Sequence, residues 1–110
     1  RVIMAEIKEA IKAIEAGNYI MFRDKPFIRE KNAICYGRMD DKYILFMLIL
    51  SEKDGEVLGE MKKIPDNVLV QILSTDTSKP SHERVVKQTQ KNGLYDALDI
   101  GLIWLEQMNK

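Results

Sequence analysis

At 110 residues, 45% hydrophobic and 31% charged, the chain has the length of one domain and an ordinary globular balance, which excludes a disordered or fibrous polypeptide. Lysine plus arginine and aspartate plus glutamate stand at 17 each, so no overall field selects nucleic acid or an anionic membrane as partner. The single cysteine, Cys35, excludes an intrachain disulfide and fits a reducing cytoplasm, and the longest apolar run, Tyr43 to Leu50, falls short of the ~18 residues of a membrane span.

Ile3, Ile7, Ala10, Ile11 and Ile14 recur at the spacing of one buried helix face, with Glu6, Lys8, Glu9, Lys12 and Glu15 turned outward. Gly17 and Asn18 stop this first helix. Tyr19 to Arg23 reads as a short strand broken by Asp24-Lys25-Pro26, because proline has no amide proton for a ladder. A polar connection through Arg29, Glu30, Lys31 and Asn32 follows. Ala33 to Arg38 reads as a second strand, Met39 to Lys42 as a turn and Tyr43 to Ser51 as a third strand. That third strand lacks the alternation of a strand with one wet face, so it is expected at the sheet's centre with both faces covered.

Asp54-Gly55 carries the signal of a type I′ hairpin turn. It predicts a fourth, edge-like strand over Glu56 to Ile64, and after Pro65-Asp66-Asn67 a fifth over Val68 to Ser74. A loop from Thr75 to Ser81 leads into an expected polar helix from near Ser81 to Asn92, which Gly93 separates from a last helix over Leu94 to Met108. The expected whole is a single α+β domain over residues 1–110: an N-terminal helix, a five-stranded antiparallel meander and two C-terminal helices.

The last helix gathers Asp96, Asp99, Glu106 and Gln107 within roughly 100° of arc, leaving an apolar stripe of about 220°, about twice what one layer needs. Together with the alternation-free third strand, this predicts apolar surface that one copy leaves uncovered, and hence a homo-oligomer, most simply a dimer. Tyr95, Ile100, Gly101 and Trp104 are the expected interface residues. Gly101 would admit a close backbone and Trp104 would anchor the contact. The competing reading is that the polar helix covers the extra stripe.

Signatures of catalysis are absent: no phosphate-cradling glycine loop, dinucleotide fingerprint, nucleophile elbow or zinc-protease helix occurs. With one histidine, His82, and one cysteine, no common structural zinc site can be assembled in one chain. Cys35 inside Ala-Ile-Cys-Tyr reads as a small buried thiol rather than a nucleophile for His82. No enzyme, cofactor or metal is expected. The best ligand candidate is the segment after Ser74, where Thr75, Asp76, Thr77, Ser78, Lys79, His82 and Arg84 stand at a predicted helix start suited to an anion such as a nucleotide; capping by Ser78 or Ser81 is its plain alternative. Arg23, Lys25, Arg29, Lys31 and Arg38 near Phe22, Phe27 and Tyr36 give only a faint nucleic-acid signal, diluted by Asp24 and Glu30. The expectation is a small cytoplasmic regulatory protein that self-associates and binds an anionic small molecule. An inhibitor or adaptor meeting another protein is the alternative.

Overall fold

Ile7, Ala10, Ile11 and Ile14 form the stripe their spacing predicts on α1 (Met4–Glu15), which buries Ile7, Ala10 and Ile14 and half-buries Ile11. A computed structural model describes residues 4–15 and 20–109. Ile3, the Gly17-Asn18 stop and Tyr19 lie outside the described residues. The chain then runs through β1 (Ile20–Phe22), β2 (Lys25–Glu30), β3 (Ala33–Tyr36), β4 (Tyr43–Ile49), β5 (Glu52–Val57), β6 (Glu60–Pro65), β7 (Asn67–Ser74), α2 (Ser81–Arg84), β8 (Val85–Asn92) and α3 (Leu94–Met108). The class is α+β, as expected. The meander is larger than expected: a six-stranded antiparallel sheet in the order β1-β2-β3-β4-β7-β8, plus a two-stranded ribbon, β5-β6.

Three local expectations need correction. Arg23-Asp24, both in the left-handed region at φ 53 and 66, turn the chain so that Phe22 pairs with Lys25. The supposed loop after Pro26 is therefore strand β2. Proline is tolerated there because its neighbour on the β3 side is Gly37, past the end of that strand, whose amide donates to the Pro26 carbonyl at 3.2 Å.

Asp54-Gly55 is not a turn. Both residues lie in β5 opposite Lys63 and Lys62, and Leu58-Gly59, at φ 52 and 81, makes the type I′ reversal instead. The expected fourth strand is thus cut in two at Leu58-Gly59.

The third correction is the polar helix. Only one turn of it exists, α2, and Val85–Asn92 is an edge strand paired along β7 with a bulge beside Leu73. Its lysines and glutamines suit an edge, where charge discourages further strand addition. Helix formation loses here to the free edge of β7, whose ladder groups need partners.

One face of the sheet carries the core. Phe27, Ile34, Leu45, Met47, Val68, Val70 and Ile72 are buried beneath α1 and α3. From α3 come Leu94, Ala97, Leu98, Leu102 and Leu105. Phe22, Phe27 and Tyr36 form an aromatic corner with ring centroids 5.7 to 6.3 Å apart, closed by the Tyr36 hydroxyl donating to the Phe22 carbonyl at 2.8 Å.

Candidate functional site

The segment after Ser74 does bring its polar residues together, but most of its donors turn inward. Thr75 ties this loop to the β3–β4 connection: its amide donates to the Lys42 carbonyl at 3.1 Å and its hydroxyl to the Asp41 carbonyl at 2.5 Å. Asp76 Oδ1 accepts the Ser78 amide at 3.0 Å and the Ser78 hydroxyl at 2.7 Å. Those bonds, the hydroxyl's first, hold the Asp76 carboxyl below its ordinary value. Arg84 donates back to the carbonyls of Lys79 and Thr77, at 3.0 and 3.4 Å.

Thr77, Lys79 and His82 are exposed. The helix that was to aim its dipole here is the four-residue α2, with no side-chain cap bond from the preceding Pro80. A single turn contributes little dipole, because the macrodipole sums over aligned peptides. The segment is a well-bonded surface loop in which Lys79 and His82 supply the outward cationic groups.

The four interface candidates on α3 have partners inside the chain. Gly101 is buried, and a Cβ built there would stand 2.6 Å from Leu45 Cδ1. The close approach that glycine permits is therefore to this chain's own β4. Trp104 is half-buried with the Lys87 ammonium 5.2 Å from its ring centre, while Tyr95 and Ile100 pack partly against the core. The wide stripe has an internal cause: α3 touches β4, β7 and β8 on the sheet and α1 beside it, so two neighbours share its apolar arc.

The uncovered apolar surface is on the sheet itself. Alternation puts Leu45, Met47 and Ile49 under the helices and turns Ile44, Phe46 and Leu48 to the opposite face, where they are half-buried by sheet neighbours. Register aligns two rows across that face: Cys35, Phe46, Gln71, Gln88 and Ala33, Leu48, Leu69, Gln90. Ile28, opposite Cys35, is 43% exposed and Met21 on the β1 edge 53%. Both long helices lie on the other face. At one end the surface dips into a groove of about 600 Å³ between Met21, Pro26, Ile28, Cys35, Met39 and Ile44. Cys35 is exposed here rather than buried, although its apolar surroundings push the thiol above its usual value. The sequence signal for this face is the unbroken run Tyr43 to Leu50.

The basic cluster near Pro26 offers no stacking platform, because Phe22, Phe27 and Tyr36 are buried in the aromatic corner. Lys25 pairs with Asp41 at 2.8 Å, and that bond is the main cause holding the Asp41 carboxyl below its usual value. The Arg38 guanidinium donates to the Asp24 carbonyl, and Arg29 Nε to that of Lys31 at 2.7 Å. A smaller recess of about 270 Å³ lies where Arg23, Lys25 and Tyr36 meet Leu105, Glu106 and Asn109 at the end of α3.

Cys35 and His82 do not share a site: β3 and the turn before β8 are three strand positions apart, about 14 Å at the usual spacing. Among the described residues no three His, Cys, Asp or Glu side chains converge as metal ligands, and no helix is long and apolar enough to cross a membrane. Set beside known proteins, the chain matches no family model, no curated protein and no solved structure.

Proposed function

We propose that this is a non-catalytic protein whose work is association, and that it acts as a homo-oligomer. The observation that carries this reading is the one-sidedness of the sheet: helices lie on one face while Phe46, Leu48, Leu69 and Ile28 remain on the other. Contiguous apolar surface of this kind usually marks a contact site. Sedimentation velocity from low micromolar to about 100 μM tests it, with a concentration-dependent shift to a dimer or higher species as the expected outcome. A monomer throughout sinks the proposal, and a stable heterologous partner on purification would favour an adaptor instead.

Binding of an anionic small molecule is a secondary part of the reading, supported by exposed Lys79 and His82 beside the hydroxyls of Thr77 and Ser78. A ligand held there should raise the melting temperature in proportion to its saturation. A thermal-shift series with inorganic phosphate and nucleotides that leaves the melting temperature unchanged removes this part and leaves the association reading intact.

A further inference from the structure

We propose that two copies of this chain pack their helix-free sheet faces together as a β-sandwich about a two-fold axis near Phe46. The inference rests on the self-association proposed above and names the surface that performs it.

Three surfaces of the described chain expose large apolar side chains. On α3 the exposed large residue is Ile103, at 37%, an isolated side chain rather than a continuous patch. The tip of the ribbon offers Leu58 at 99% and Met61 at 70%, a small patch on a narrow support. The sheet face is broad and continuous. With six strands about 4.8 Å apart and about 3.4 Å of rise per residue, it presents roughly 600 Å² per copy. A pair would bury about 1,200 Å², the lower bound of stable interfaces.

Charge favours a second copy as the occupant. A surface that meets itself across a two-fold axis places each central residue near its own twin, so like charges at the centre would repel. Charged residues make up 31% of the chain, yet from β3 across to β8 the rows through Phe46 and Leu48 contain none, and Arg38 and Asp40 stand at one end of the face, where they line the groove. Glu30, opposite Ala33 at the end of β2, stands at a corner. The lysines of β8, Lys87 and Lys91, are in register with buried Ile72 and Val68 and so belong to the helix-bearing side. A partner chosen for opposite charge has nothing to read at the centre, whereas a neutral copy of the same face fits it. Gln71 and Gln88, already bonded to each other at 3.0 Å, supply a polar margin on the β8 side. Strand addition along β8 would instead bring Lys87 and Lys91 to the seam, which disfavours that arrangement.

The test uses the full chain and two independent readings. Phe46→Glu and Leu69→Lys should each weaken dimerisation by about 30-fold or more, the loss expected of a central contact residue. Ile103→Glu on α3 should leave the dimer unchanged. Each variant is checked for a wild-type circular dichroism spectrum and cooperative melting. In the wild type, the rate of Cys35 alkylation by a maleimide should fall with the monomer fraction, by about twofold at the dimerisation midpoint and further at higher concentration. This second reading stands even where a variant does not fold. A wild-type dimer that keeps a concentration-independent alkylation rate, or that Ile103→Glu dissociates while folded Phe46→Glu and Leu69→Lys do not, overturns the sandwich and leaves self-association standing. A wild type that is monomeric at every concentration overturns both.

Discussion

Gly101 lies close against the side chain of Leu45. Alanine would gain about 1 kcal/mol of helix propensity, but its methyl would stand 2.6 Å from Leu45 Cδ1, and Leu45 is fully buried, so its side chain must shift within a packed core. Overpacking of this kind costs about 1–3 kcal/mol, so Gly101→Ala should be net destabilising by about 1 kcal/mol in urea unfolding. Combined with Leu45→Ala, it should cost measurably less than the two single losses added together. An equally stable Gly101→Ala would contradict the contact. Tyr36 gives a second residue-scale prediction. Burial pushes its phenol up to about 12, the nearby Arg23 charge opposing and Asp41 and Asp24 assisting. The unfolded phenol ionises near 10 while the folded one resists, so this group's contribution is intact below pH 10 and is lost as pH rises toward 12. Tyr36→Phe should lower stability by about 1 kcal/mol at neutral pH through the lost bond to Phe22 and should flatten the decline above pH 10. A variant with the wild-type alkaline slope would show that Tyr36 is not its source.

At the scale of elements, the end of α3 is fastened to the start of β4 by one side chain. Asn109 accepts the Tyr43 amide at 3.1 Å and donates to the Tyr43 carbonyl at 3.2 Å, imitating a neighbouring strand. Asn109→Ala should cost about 1–2 kcal/mol and speed hydrogen exchange at the Tyr43 amide, leaving the middle of β4 protected; unchanged exchange at Tyr43 would count against the clamp. Elements whose partners lie close in sequence or whose pattern is strongly apolar were legible: α3 has the expected bounds, and β4 is central as its apolar run implied. β8 was not, because Lys87, Thr89 and Lys91 alternate with Gln88 and Gln90 and polar residues on both faces carry no period-two signal. Its strand character comes from β7, which no local window contains. The ribbon turn was hidden for a related reason: Leu58 at φ 52 is an unfavourable residue for that conformation, whereas Asp54-Gly55 is favourable and goes unused. The bare sheet face was half legible. The run from Tyr43 demanded two covers, but only the fold tells which side the helices take.

The whole molecule, 47 Å by 26 Å by 21 Å along its principal axes, divides into a six-stranded sheet with its helices and a two-stranded arm. β5 and β6 pack mainly on each other, with Ile64 and Pro65 at the base of β6 facing Ile11 and Leu94 across a recess. At their base the Asp66 amide donates to the Ser51 carbonyl at 2.8 Å and the Asn67 amide to the Ser51 hydroxyl at 3.2 Å. The hairpin formed by β4 and β7 is therefore already closed before the ribbon begins. Replacing residues 52–65 with an asparagine-glycine turn should leave a folded protein, since this dipeptide suits a two-residue reversal. The ion pairs removed are exposed ones, such as Lys63 with Asp54 at 2.7 Å, and exposed pairs contribute only ~0–1 kcal/mol each. The shortened chain should melt cooperatively within about 1 kcal/mol of the parent. If the bare sheet face is the contact surface, it should also dimerise at the parental midpoint, because neither Leu58 nor Met61 then takes part. A folded but monomeric shortened chain would move the contact to the arm, and an unfolded one would show that the ribbon is required for the sheet to form.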